Sequence, residues 1–139
     1  MQIAQNDNTI VCRLERGEDV IKSLETLIEQ TGIRSAVVTC GIGMLVEGEI
    51  GYFDGKAYLT RPIDGPHELV SMQGTITTRG EIVIHLHVSL AGRDHALIGG
   101  HLKRGVVGVV GEVAILKVDD LPMSRKLDPG TGLGLLSLE

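Results

Sequence analysis

The hydrophobic period of this chain changes once, and that change limits the folds open to it. Over residues 18–31 the apolar side chains recur at the spacing of one helix face. That face comprises Val20, Ile21, Leu24, Leu27 and Ile28. After Gly32, β-branched residues and short alternating runs replace the helical period, and these are typical of strands. The pattern therefore predicts one helix, from about Glu18 to Thr31, followed by a sheet.

Sequence signals mark both ends of the predicted helix. Glu18 and Asp19 fall in its first turn, where acidic side chains complement the helix dipole. Gly32 follows the last residue of the helix, where a left-handed C-terminal cap favours glycine. A short strand over residues 9–14 is expected to precede the helix.

The apolar runs after the helix are predicted as strands that tight turns connect. Asp54-Gly55 and Arg79-Gly80 are the two hairpin signals. The predicted strands cover residues 34–45, 47–53, 57–60, 67–78, 81–90, 96–102 and 106–118. The fold class is therefore predicted to be α+β, a mainly antiparallel β-sheet with one long N-terminal helix.

Length and composition indicate a single domain over residues 1–139. The chain lies in the usual size range of one domain, and its 42% apolar content is enough for one core. These properties exclude a disordered chain and a two-lobed enzyme with a cleft between its lobes. Residues 119–139 form a mixed tail, broken by Pro122, Pro129 and Gly130, whose LGLLSL end could return to the sheet.

Glycine is abundant and aromatic residues are rare. There are 19 glycines, which predicts close backbone contacts or unusual backbone, because average usage is roughly 7%. The three aromatic residues are Tyr52, Phe53 and Tyr58. They flank the Asp54-Gly55 signal, so we expect them to pack across a hairpin, with a ligand platform as the less favoured role.

Charge and cysteine content limit the binding partners and the cellular location expected for this chain. Thirteen basic and 18 acidic residues give a net charge of −5, which disfavours unaided binding to the phosphate backbone of DNA. Cys12 and Cys40 have no CxxC spacing and are expected to be small buried hydrophobic residues. We find no signal peptide and no apolar run long enough to span a membrane, so a soluble, cytoplasmic protein is expected.

Three of the five histidines have the spacing of metal ligands. His85 and His87 are two apart in a predicted strand and therefore project from the same face. His101 follows Gly99-Gly100, where missing side chains allow close approach to a neighbouring strand. If that strand lies beside His85 and His87, three imidazoles can bind zinc, or nickel, copper or iron. The alternative is that these histidines only pack or form hydrogen bonds.

Other polar residues carry weaker signals. His95 is expected in a solvent-facing turn, and His67 in a loop or at a strand entry. Three carboxylates are candidates to support a metal site or to transfer a proton: Glu68, Asp94 and Glu112. Carboxylates in such positions are more often solvated surface charges. The chain contains no dinucleotide fingerprint, phosphate-binding loop or nucleophile elbow, which excludes nucleotide hydrolysis and serine-triad acyl transfer.

The longest recognisable motif is IHLHVSLAGRDHALIGGHLKRGVVGVVGEVAIL, residues 84–116. This run resembles the signature of the plant-and-prokaryote conserved domain, also called the PPC or DUF296 domain. Three further segments resemble this family: Arg13-Leu14 with GEDV at residues 17–20, LVSMQGTI at residues 69–76, and RKLDPGTGLGLL at residues 125–136. The resemblance places the domain core at about residues 9–136, as in a stand-alone, prokaryotic-type member.

The resemblance implies further properties. Family members fold as an α+β domain around an antiparallel sheet and associate as trimers, which would give the glycines and the apolar VVGVVGEVAIL run an interface to form. Some members bind zinc through histidines that match His85, His87 and His101. Plant members carry an AT-hook for DNA, whereas Arg61-Pro62 here lacks the Arg-Gly that precedes Arg-Pro in that segment.

Three functions follow as hypotheses. The first is a small trimeric module, regulatory or ligand-binding, that holds zinc and can grip a small anionic ligand. The alternative is a zinc-dependent enzyme that acts on a small molecule through a metal-bound water, for which no general base is assigned. The third is a DNA-associated protein, in which a trimer would concentrate Arg93, Lys103 and Arg104 on one face. The sequence leaves substrate and turnover open.

Overall fold

The computed structural model describes residues 1–139 and contains one helix and eight strands. The elements are β1 (Gln2–Gln5), β2 (Thr9–Glu15), α1 (Val20–Thr31), β3 (Ser35–Phe53), β4 (Tyr58–Thr77), β5 (Val83–Ala91), β6 (Leu97–Lys117), β7 (Ser124–Leu127) and β8 (Gly134–Ser137). The predicted α+β class, with a mainly antiparallel sheet and one N-terminal helix, is confirmed.

Six strands form one antiparallel sheet in the order β1-β2-β6-β3-β4-β5. Because β5 also pairs with β6, the strands β6, β3, β4 and β5 close into a ring. A closed ring has no free edge along the paired stretch and can enclose side chains. Leu86, Val88 and Leu90 of β5 are accordingly buried in the hydrophobic core.

The long strands β3, β4 and β6 are continuous where the sequence predicted breaks. Register shifts absorb the irregular positions, as between Leu45 and Glu47 in the pairing of β3 with β4. Pro62 is tolerated within β4 because β5 pairs with β4 only from Glu68 onward, so this part of β4 is an edge. His67, predicted in a loop or at a strand entry, therefore lies inside β4 opposite Leu45.

Helix α1 begins and ends at polar and glycine caps. The side chain of Asp19 accepts a hydrogen bond from the backbone N–H of Lys22, and Gly32 adopts the predicted left-handed conformation, with φ of 67°. The prediction that Glu18 and Asp19 lie in the first turn is wrong, because the helix starts at Val20. Glu18 instead accepts a hydrogen bond from the N-terminal ammonium at 2.7 Å.

The core lies between the apolar face of α1 and the inner face of the sheet. Val20, Leu24, Leu27 and Ile28 are buried there with residues from the strands. Cys12 belongs to this core, as predicted. The same prediction is wrong for Cys40, which is exposed because it pairs with Ala114 on the outer face of the sheet.

The tail folds back on itself. Strands β7 and β8 pair antiparallel in a separate two-stranded sheet, residues 124–137, which we call the C-terminal hairpin. The LGLLSL end is therefore paired with β7 and does not return to the main sheet. No helix in this structure has the length and apolar content required to cross a membrane.

Candidate metal centre

The sheet brings the three predicted histidines together. His85 and His87 alternate with the buried Leu86 on β5 and point to the opposite, outer face. β5 and β6 are hydrogen-bonded neighbours, and His87 is paired directly with His101. The strand that contains His101 therefore lies beside the strand of His85 and His87, which is the arrangement that the predicted three-histidine site needs.

The glycines before His101 allow this pairing. A Cβ on Gly99 would lie 2.5 Å from the carbonyl oxygen of Val88, and one on Gly100 would lie 2.6 Å from that of Gly51. Real Cβ atoms do not approach backbone so closely, so any larger residue would separate the strands. The predicted role of Gly99-Gly100, close backbone approach beside His101, is supported by these distances.

We call His85, His87 and His101 the histidine cluster. Their potential ligand nitrogens all lie within 4.8 Å of one another. The Nε2 atoms of His85 and His87 are 3.2 Å apart, which fits two nitrogens bound at about 2.0–2.1 Å to one tetrahedral ion. The Nδ1 atom of His101 is buried without a hydrogen-bond partner. Converging imidazoles with an unpaired nitrogen form a donor set suited to a transition metal ion.

The surroundings keep two of these imidazoles neutral. Burial, followed by the nearby charge of Lys103, lowers the pKa of His101 to about 4. Burial, followed by the charge of Arg125, also lowers the pKa of His85. Because metal ligation requires the unprotonated nitrogen, both residues are in the binding form at neutral pH.

Arg125 of the C-terminal hairpin extends to the histidine cluster. Its Nη2 donates to the hydroxyl of Thr75 at 2.6 Å and lies 3.4 Å from Nδ1 of His85. Its Nη1 donates to the carbonyl oxygen of Gly134 at 3.3 Å, and its Nε is buried without a partner. Burial lowers the pKa of Arg125. No local spacing in the sequence connects Arg125 with the histidines, because 40 positions separate it from His85.

Tyr58 and Lys103 adjoin the cluster on another side. The Nζ of Lys103 lies 3.6 Å from the centroid of the Tyr58 ring, which is cation–π geometry. The Tyr58 ring is also 5.4 Å from that of His101 and 5.4 Å from that of Phe53. The predicted packing across the hairpin is therefore found between Phe53 and Tyr58, and Tyr58 additionally contacts the histidine cluster.

A cavity of about 810 Å³ separates the histidine cluster from the C-terminal hairpin. His85 and His101 line one side, with Tyr58 and Thr75. The hairpin supplies the opposite wall, which consists of Arg125, Leu127, Leu133, Gly134, Leu135 and Leu136. A cavity of this size is typical of small-molecule sites.

The other polar residues considered from the sequence lie away from this cavity. His95 is exposed in the turn before β6, as predicted. None of Glu68, Asp94 and Glu112 lines the cavity, and Asp94 instead accepts a hydrogen bond from the backbone of Ala96. The carboxylate that lines the cavity is that of Glu81, which precedes β5. Glu81 was not among the candidates predicted from the sequence.

The sequence and the fold match a known protein family. The sequence model of the Plants and Prokaryotes Conserved (PCC) domain matches residues 1–119. The chain belongs to this family. The PCC domain is the plant-and-prokaryote conserved domain that the sequence motifs resembled, so that prediction is confirmed. The family match ends before β7, so the C-terminal hairpin lies outside it.

Solved structures share this PCC fold over nearly the whole chain. A PPC protein from Pyrococcus horikoshii is 31% identical, covers 98% of this chain and 93% of its own, and has a TM-score of 0.85. A metal-containing protein from Archaeoglobus fulgidus is 30% identical, with 96% and 94% coverage and a TM-score of 0.83. A candidate DNA-binding protein from Ralstonia eutropha is 25% identical, with 99% and 96% coverage and a TM-score of 0.86.

Curated relatives contain a similar segment within a much longer chain. The bifunctional protein GlmU of Synechococcus sp. (strain JA-2-3B'a(2-13)) is 27% identical over 123 residues, which are 86% of this chain and 18% of that protein. GlmU of strain JA-3-3Ab is 26% identical over 129 residues, 91% of this chain and 20% of that protein. The chain thus spans about a fifth of the curated relatives it matches.

Proposed function

We propose that this PCC domain is a small metal-binding module, regulatory or ligand-binding, in which His85, His87 and His101 hold Zn²⁺. The observation that carries the proposal is the convergence of three imidazoles, with all donor nitrogens within 4.8 Å and no carboxylate among them. Neutral imidazole donors suit zinc and leave a fourth position for a ligand. The metal-containing relative from Archaeoglobus fulgidus supports metal binding in a domain of the same fold.

The chemistry of the site favours binding of an anion. Zinc, when bound, supplies a positive charge and a Lewis-acid position at the histidine cluster. Arg125 and Lys103 add positive charge close to the same histidines. A small anionic molecule would therefore be attracted both by the ion and by the protein.

Metal content of protein purified without added metal tests the proposal directly. We expect about one zinc ion per chain, and loss of most of it in His87→Ala and His101→Ala. His95→Ala, in an exposed turn, is the matched control and should keep the metal. Metal-free protein, together with a His87→Ala variant of unchanged stability, would contradict the proposal.

We also propose that the module works as a homotrimer. Cross-strand partners share a face, and the pairings Thr9–Leu116, Leu116–Val37, Val37–Thr75 and Thr75–His85 place one continuous row on the outer face of the sheet. Val11, Ile42 and Leu116 are apolar residues of that face, and each is exposed by 41–50%. Neighbouring copies that pack on this face would remove these apolar side chains from water.

A further inference from the structure

We propose that the cavity between the histidine cluster and the C-terminal hairpin binds a small organic monocarboxylate with an apolar body, and that Arg125 selects its negative charge. This inference rests on the proposed function, because the histidine cluster forms one end of the same cavity. It adds the chemical class of the ligand and identifies the C-terminal hairpin as the element that selects this class.

The size and lining of the cavity fit a ligand that is mostly apolar. Its volume, about 810 Å³, lies in the range of roughly 300–1,000 Å³ found for small-molecule sites. Seven of its 13 lining residues are hydrophobic: Tyr58, Val83, Ile84, Leu127, Leu133, Leu135 and Leu136. Leu127 is 74% exposed and Leu135 is 49% exposed, so an apolar ligand would remove hydrophobic surface of the hairpin from water.

The charged side chains of the cavity, counted without the ion proposed for the histidine cluster, fit one negative charge. Arg125 is the cation among the lining residues, and Glu81 is the anion. A guanidinium presents a planar fork of donors that matches a carboxylate, and the Nε of Arg125 is buried without a partner. A cationic ligand would face Arg125, and a dianion such as a phosphate monoester would meet stronger repulsion from Glu81.

The position of Arg125 also orients the ligand. Its Nη2 lies 3.4 Å from His85, so a carboxylate bound by the guanidinium would lie at the histidine end of the cavity. The leucines of the hairpin would then cover the apolar body. One end of the ligand would contact the histidine cluster and the other the hairpin.

The selecting element lies outside the family match. Arg125 and the four leucines belong to residues 124–137, whereas the PCC match ends at residue 119. The strands of the matched region provide the histidines, and the hairpin provides the wall that a ligand must fit. The side chains of the C-terminal hairpin therefore determine which class of ligand fits the cavity.

Calorimetric titration of the intact protein with hexanoate, 1-hexanol and hexyl phosphate tests the inference. We expect hexanoate to bind at least about tenfold more tightly than 1-hexanol, which lacks the charge-assisted contact with Arg125, and more tightly than hexyl phosphate, which Glu81 repels more strongly. Arg125→Gln should weaken hexanoate about tenfold or more and leave hexanol unchanged. Lys126→Ala is the matched control on the same strand and should bind hexanoate like the wild type.

Methyl NMR of the unaltered protein provides a test that needs no variant. Hexanoate should shift the methyl signals of Leu133 and Leu136, and leave those of Leu59, an exposed leucine outside this cavity, in place. Equal affinity for hexanol, tighter binding of hexyl phosphate, or shifts elsewhere would overturn the inference.

Parallel zinc measurements separate the two proposals. If the protein binds zinc but does not bind hexanoate selectively, the proposed metal function is supported and the proposed ligand class is wrong. Selective hexanoate binding that is lost in Arg125→Gln, in protein that binds no zinc, would support the inference and contradict the proposed metal function.

Discussion

Burial and neighbouring charge keep the imidazole of His101 neutral in the folded protein, with its pKa lowered from 6.5 to about 4. The pKa of His85 is lowered in the same direction. Between pH 6.5 and about 4, His101 is protonated in the unfolded chain but stays neutral in the folded chain. Protonation of this imidazole therefore favours unfolding. The free energy of unfolding of metal-free protein should therefore fall as pH drops from about 6.5 toward 4.

Urea unfolding of metal-free protein at about pH 7.5 and about pH 5 measures this effect. His101→Gln removes the ionisable group and should reduce the loss of stability between the two conditions. His95→Gln, in the exposed turn, should retain the wild-type difference. An equal loss in His101→Gln and the wild type would contradict the assignment of this pH dependence to His101.

At the scale of the elements, the pairing of β5 with β6 depends on glycine. Gly99→Ala would place a methyl group 2.5 Å from the carbonyl oxygen of Val88. We expect it to lower the free energy of unfolding by about 1–3 kcal/mol and to weaken zinc binding, because the strand that carries His101 must shift. Gly130→Ala is the control, since its Cβ would meet only side-chain atoms of Asp128, the nearest at 3.4 Å.

Denaturant titration and metal content of the two variants test this prediction. Gly130→Ala should be unchanged or slightly stabilised, since alanine restricts the unfolded chain. If Gly99→Ala behaved like Gly130→Ala in both measurements, close approach of the two strands would not be what positions His101.

The elements also show why sequence signals located turns better than strand ends. The Asp54-Gly55 and Arg79-Gly80 signals fall between strands that pair with each other, because turn chemistry is local. The breaks predicted near Pro62 are absent, because an edge strand does not need the hydrogen bond that proline lacks. Whether a segment lies at an edge depends on which distant strand pairs with it, and local pattern does not contain that information.

At the scale of the whole molecule, sedimentation should give a mass close to three chains. Val11→Lys would place a charge in the proposed interface, and we expect it to shift the protein toward monomer. Ile82→Lys is the control: Ile82 is 52% exposed, against 50% for Val11, but precedes β5. A monomeric wild-type protein, or equal dissociation of both variants, would contradict the proposed trimer face.

We expect this molecule not to bind DNA by itself. The net charge is −5, and two of the basic side chains that a DNA site would need have partners within the chain: Arg104 is paired with Glu47, and Lys103 lies over the Tyr58 ring. Fluorescence anisotropy with a labelled duplex at low salt, where phosphate attraction is strongest, should show no binding. Binding that weakens in Lys103→Ala would overturn this expectation and favour the DNA-associated hypothesis.

Local sequence patterns were sufficient to predict the helix, the two hairpin turns and the types of residue in the candidate site. Those features depend on neighbours within a few positions: a helical period, an Asp-Gly pair, and two histidines that alternate on one strand. The motif in residues 84–116 also identified the PCC family.

Contacts between distant segments set the continuity of β3, β4 and β6, the exposure of Cys40 and the residues that line the cavity. Closure of the ring pairs β5 with β6, and the tail folds back to bring Arg125, Leu133 and Leu136 opposite His85. Glu81 joins the same cavity, whereas the carboxylates selected from the sequence do not. Strand register and the return of the tail are set by pairing between distant segments, and no local spacing encodes that pairing.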